Sequence, residues 1–150
     1  MRNSVLGTGL LIILAVGALA CEIATKLSMK ESLPPTFLIT GNGILTSIRV
    51  RGPDRQRDAA GEAQYLYWVI DLKDYDGSQV AGRLGSVRYG EIPKGYVQRY
   101  PEKGEAPPLV ENEHYYVRLV TSDAPNDDGY FTIRNGRVKF AKYESELPGR

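Results

Sequence analysis

The chain has 150 residues, room for one domain of ordinary size and not two. Charged residues make up 25% and hydrophobic ones 42%, which excludes a wholly disordered chain, a multi-span membrane protein and a collagen-like repeat. The formal net charge of +1 provides no bulk field for gathering nucleic acid, and one cysteine with one histidine excludes a disulfide framework and a zinc site of the Cys/His type.

The first element is apolar. Arg2 carries a positive charge, and Val5 to Ala20 contains no charged residue. The run closes in Gly17-Ala18-Leu19-Ala20, followed by Cys21, the only cysteine. A charged start, a short apolar stretch and a small-residue end form the plan of a secretory signal peptide. As one helix, sixteen residues would span ~24 Å, short of the ~30 Å hydrocarbon core. With Leu19 and Ala20 directly before Cys21, residues 1–20 resemble a bacterial lipoprotein signal peptide. The resemblance implies a diacylglyceryl group on the Cys21 thiol, a cut before it, and a fatty acyl chain such as palmitate on the new amino group. Two or more acyl chains anchor stably where one is reversible. A plain secreted chain cut after Ala18 or Ala20, or an uncleaved anchor helix, are the alternatives the residues leave open. Removing the segment removes Arg2 and leaves a formally neutral chain. Residues 21–35 read as the lipidated cysteine and a polar tether ending in Leu33-Pro34-Pro35.

From residue 36 to 143 the pattern is short strands separated by turn chemistry. Thr36–Thr40 is rich in β-formers and closes at Gly41-Asn42-Gly43. Ile44–Arg51 alternates, with Ile44, Thr46, Ile48 and Val50 on one face and Arg49 and Arg51 on the other. A polar loop follows to Gln64. Tyr65–Leu72 is the most apolar run and predicts an inner strand. Arg83–Tyr89 and Gly95–Tyr100 are weaker strands around Gly90-Glu91-Ile92-Pro93, where Pro93 places the connection at an edge or in a loop. His114–Thr121 alternates strongly, Ser122–Gly129 reads as a turn, and Tyr130–Arg134 and Arg137–Tyr143 flank the hairpin signal Asn135-Gly136. Residues 144–150 read as a tail. Seven or eight strands without a convincing amphipathic helix predict an all-β, antiparallel β-sandwich.

Leu109, Tyr115, Val117 and Leu119 have the spacing of the penultimate strand of fibronectin type III domains, which this stretch resembles. The resemblance implies a tyrosine corner at Tyr115, its hydroxyl bonding backbone just upstream. Trp68 falls in the strand after Ile44–Arg51, a placement more like that of an immunoglobulin domain, although paired cysteines are absent. The expected fold is therefore a fibronectin type III-like or immunoglobulin-like sandwich.

Chemical motifs are sparse. Asp71, Asp74, Asp76 and Gly77 cluster, as do Asn126, Asp127, Asp128 and Gly129. In an EF-hand frame these glycines would put Arg83 or Asn135 at the position of the closing glutamate, so both clusters read as turns. His114 is the only histidine, and no serine has a Gly-x-Ser-x-Gly setting. His114 therefore reads as a strand-edge residue, with an envelope hydrolase around a shallow site at His114 as the competing function. Tyrosine is in excess, at ten residues, and Arg88, Tyr89, Lys94, Tyr96, Arg99 and Tyr100 bracket the Gly90–Gly95 segment. Tyrosine with arginine is typical of interaction surfaces.

The expected protein is a lipid-anchored, non-enzymatic binding or structural domain of the bacterial cell envelope, facing the periplasm or exterior. Its anchor would be acylated Cys21, and its contact surface Arg88 to Tyr100. The expected partners are the membrane and a protein or glycan, the latter as in a carbohydrate-binding accessory module. Neither nucleic acid, metal nor cofactor is expected.

Overall fold

The computed structural model describes residues 23–52 and 65–149. Cys21 and the loop after Gly52 lie outside the described residues. Nine strands, all paired antiparallel, form two sheets among the described residues. The smaller has the order β1-β2-β5, built from Lys26–Met29, Thr36–Thr40 and Ser86–Arg88. The larger has the order β6-β4-β3-β7-β8-β9, from Tyr96–Tyr100, Leu66–Leu72, Leu45–Arg51, His114–Thr121, Asp127–Arg134 and Arg137–Ala141. The fold is an all-β antiparallel sandwich.

Alternation decides which side chains lie between the sheets. Ile48 pairs with Ile70 and Leu119, and Val50 with Trp68 and Val117, so these residues share the inner face and are fully buried. Phe37 of β2 reaches across from the small sheet. Its ring lies 6.3 Å from both Trp68 and Phe131, stacked on the first and edge-on to the second. Tyr115 stacks on Phe131 at 5.2 Å. β4 is an inner strand between β6 and β3, as its apolar run predicts, with Trp68, Val69 and Ile70 all buried.

Four expectations are corrected. The polar tether of residues 21–35 contains β1, whose Leu27 is only 4% exposed and pairs with Ile39. The Leu27 N–H donates to Asp127 Oδ2 at 2.6 Å, which fastens β1 to β8 of the larger sheet. Asp127 consequently belongs to a strand and not to the Ser122–Gly129 turn. Of the strand expected over Arg83–Tyr89 only Ser86–Arg88 forms, as β5; Arg83 and Leu84 close a short helix, α1 (Ala81–Leu84). Gly85, at φ 67°, separates them in a conformation that stops both elements. The tail of residues 144–150 holds a 3-10 turn at Glu144–Glu146, and Leu147 beyond it is buried.

The tyrosine at the start of β7 is fully buried, and its hydroxyl accepts the Val110 N–H at 2.8 Å. This bond turns the chain from the β6–β7 connection into β7.

Candidate functional site on the outer face of the larger sheet

The six residues expected to form one contact surface are divided by the fold. Tyr89 turns inward against Trp68, ring to ring at 5.3 Å, and its hydroxyl donates to the Pro107 carbonyl at 2.8 Å. Tyr96 is 8% exposed and donates to the Leu45 carbonyl at 2.7 Å. Burial pushes both phenols well above the ordinary tyrosine value. These two tyrosines are internal braces. Arg88 is exposed on the smaller sheet, and Lys94 sits in the β5–β6 loop, 2.8 Å from Asp76. The Lys94 ammonium, with the Ser78 hydroxyl and N–H, holds the Asp76 carboxyl well below the carboxylate range. Only Arg99 and Tyr100 share a face. They are neighbours on edge strand β6, where a register shift against Val69/Ile70 leaves Arg99 unpaired in the ladder and brings both to the outer side, Arg99 3.5 Å from Asp71 and Tyr100 40% exposed.

That face continues across the sheet. Arg49 of β3 stands directly opposite Arg118 of β7, which stands opposite Asp128 of β8. One row along, Arg51, Tyr116 and Tyr130 are cross-strand partners on β3, β7 and β8. All six side chains alternate with buried neighbours and so point away from the core. The Tyr116 and Tyr130 rings are tilted together at 5.1 Å, with the Arg51 guanidinium 5.7 Å from the centroid of Tyr116. The Tyr116 hydroxyl donates to Asp128 Oδ2 at 3.0 Å, and partial burial with this bond pushes its phenol up to about 12. Arg49 donates through Nε to Ser47 Oγ at 3.2 Å. Neither Arg49 nor Arg118 makes an ion pair among the described residues.

Arg49, Arg51, Arg99 and Arg118 stand on this face against two carboxylates, Asp71 and Asp128, a surplus that the whole-chain charge of +1 conceals. Many of the other described acids lie in the connections. Asp74 and Asp76 are in the β4–α1 connection, Asp123 is in the β7–β8 turn, and Glu102, Glu105 and Glu111 are in the β6–β7 connection. Sequence alternation identifies Arg49 and Arg51 as outward-facing. Their meeting with Arg118 and Tyr116, some 65 positions away, depends on strand register and carries no local signal.

A concavity of about 510 Å³ opens between the β1–β2 and β6–β7 connections. Pro34, Pro35, Pro107, Pro108, Leu109 and Ile133 give it apolar walls. The candidate base His114 is buried at the start of β7, with Nδ1 3.1 Å from Glu144 Oε1 and Nε2 2.9 Å from the Pro148 carbonyl. A carbonyl oxygen can only accept, so Nε2 carries the proton of that bond. Both ring nitrogens are thus occupied in holding the C-terminal segment against β7.

The two acidic turns bond their own backbone. Asp76 accepts from the Ser78 N–H at 3.0 Å, and Asn126 Oδ1 from the Thr121 N–H at 2.8 Å. Among the described residues no group of three or more His, Cys, Asp or Glu is placed to hold a metal ion. Comparison of the chain with protein-family models, with curated proteins and with solved structures finds no match.

Proposed function

We propose that this chain is a lipid-anchored protein of the bacterial cell envelope whose sandwich is a binding or structural module rather than an enzyme. The observation that carries the reading is the position of Cys21. The sole cysteine follows a small-residue signal boundary and precedes the first strand by only five residues, so acylation there would hold the folded part close to a bilayer. Among the described residues no helix is long and apolar enough to cross a membrane. The engagement of both His114 nitrogens supports a bracing role for the one histidine over a role as general base. The Tyr115–Val110 bond and the β1-β2-β5 sheet support placing the sandwich with the fibronectin type III-like or immunoglobulin-like folds.

Labelling cells with a radioactive or clickable fatty acid tests the anchor. The wild-type chain takes up label, and Cys21→Ser accumulates as unlabelled precursor or soluble protein. Undiminished labelling of Cys21→Ser would refute it.

A further inference from the structure

We infer that the outer face of the larger sheet, centred on Arg49, Arg51, Arg118, Tyr116 and Tyr130, seats on the anionic headgroups of a phospholipid bilayer. The location rests on the lipid-anchored reading above; the affinity of the face for anionic lipid does not.

Arg49 and Arg118 are like charges on directly opposed positions of β3 and β7. Cross-strand partners hold their Cβ atoms ~4.5–5.5 Å apart, and like charges placed so are destabilising. Outward positions of a half-exposed sheet tolerate almost any polar residue, so the fold itself does not require two arginines there. Asp128, the one acid in the row, gives Oδ2 to the Tyr116 hydroxyl and makes no ion pair with Arg118. A row of phosphate oxygens would neutralise both guanidinium groups through paired N–H donors.

The named arginines and tyrosines occupy three adjacent strands, β3, β7 and β8, roughly 10 Å across at ~4.8 Å spacing, on the part of the face that the Glu144–Pro148 segment over His114 leaves open. Tyr116, Tyr130 and the exposed Tyr100 put amphipathic rings on that face, the residue type that settles at the headgroup level.

Residues 23–25 are already held by the fold: the Ile23 carbonyl accepts the Asn42 N–H at 3.2 Å, and Thr25 is 2% exposed. Cys21 is therefore only two positions from the folded part, and an acyl group on Cys21 would hold the domain beside the bilayer, where a weak electrostatic contact is sufficient.

The fold closes within residues 23–149, so the test uses the unacylated mature chain, residues 21–150 with Cys21→Ser, in co-sedimentation with vesicles. We expect binding to phosphatidylglycerol/phosphatidylcholine vesicles, little binding to phosphatidylcholine alone, and loss of binding at high salt. Each basic residue near an anionic surface contributes ~1 kcal/mol, so Arg49→Gln/Arg118→Gln should bind about 30-fold more weakly. The same double variant should melt no lower than the parent, because it removes a like-charge pair. Equal sedimentation with neutral vesicles, or unchanged binding by the double variant, would overturn the inference. Binding to heparin or an oligonucleotide without binding to anionic vesicles would also overturn it, assigning the face to a soluble polyanion. Loss of fatty-acid labelling at Cys21 is a separate result, and bears on the anchor alone.

Discussion

Replacing Tyr115 by Phe removes one oxygen and leaves the ring in place. The ring is fully buried, 5.2 Å from both Phe131 and Tyr67, and phenylalanine keeps both contacts. What is lost is the acceptor for the Val110 N–H at the turn into β7. An unpaired, part-buried N–H costs ~1–3 kcal/mol, and the lost bond itself accounts for ~0.5–1.5 kcal/mol of stability. We therefore expect Tyr115→Phe to lose about 1–3 kcal/mol. Tyr116→Phe, one residue along on the outer face, gives up its hydroxyl bond to Asp128 beside solvent, and water satisfies the carboxylate. That loss should stay below ~1 kcal/mol. Urea unfolding of both variants, followed by intrinsic fluorescence, measures the difference directly. With a slope of ~2 kcal/mol/M, the Tyr115 midpoint should fall by about 0.5–1.5 M and the Tyr116 midpoint by much less. Equal shifts would refute the reasoning that the Val110–Tyr115 bond fixes the turn.

Three further outcomes follow from individual contacts. Tyr96→Ala empties a buried site and strands the Leu45 carbonyl, so it should lower stability by ~3–5 kcal/mol, whereas Arg99→Ala, at an exposed pair, should change it by less than ~1 kcal/mol; thermal melts of the two would separate brace from surface. Burial opposes the charged form of Asp127, but bonds from Lys142 and the Leu27 N–H prevail and hold its carboxyl below the ordinary value. Its contribution is therefore present above the ordinary carboxylate range and lost as pH falls, so the stability gap between wild type and Asp127→Ala should be full at about pH 6 and shrink toward about pH 3; a constant gap would contradict this. His114→Phe should release the Glu144–Pro148 segment, read as faster amide exchange at Glu146 and Leu147, whose N–H groups bond within that turn, with β7 itself still protected.

Strands with long, regular alternation are legible from their residues. His114–Thr121 and Thr36–Thr40 have the same ends in the chain pattern and in the fold: the first places Tyr115, Val117 and Leu119 at period two, and the second is a continuous run of β-formers bounded by Pro35 and Gly41. β1 is not legible. Leu27 and Met29 are two apolar residues within a polar run, and the strand exists because β2 offers an edge and Asp127, 100 positions away, accepts the Leu27 N–H. Tyrosine also defeats composition. Tyr96 and Tyr100 sit on one strand among the same neighbours, yet one is 8% and the other 40% exposed, since a tyrosine ring serves equally as core and as surface. The arginine face was half visible, through Arg49 and Arg51. That Arg118 completes it follows only from the β3–β7 register, which is set by the buried Ile48–Leu119 and Val50–Val117 pairs on the other side of the sheet.

The most direct measurement of the account is the intact mass of the mature chain extracted from bacterial membranes. A mass beginning at Cys21 and carrying a diacylglyceryl group with an amide-linked acyl chain is the predicted result. An unmodified chain, whether cut elsewhere or still beginning at Met1, would contradict the anchor.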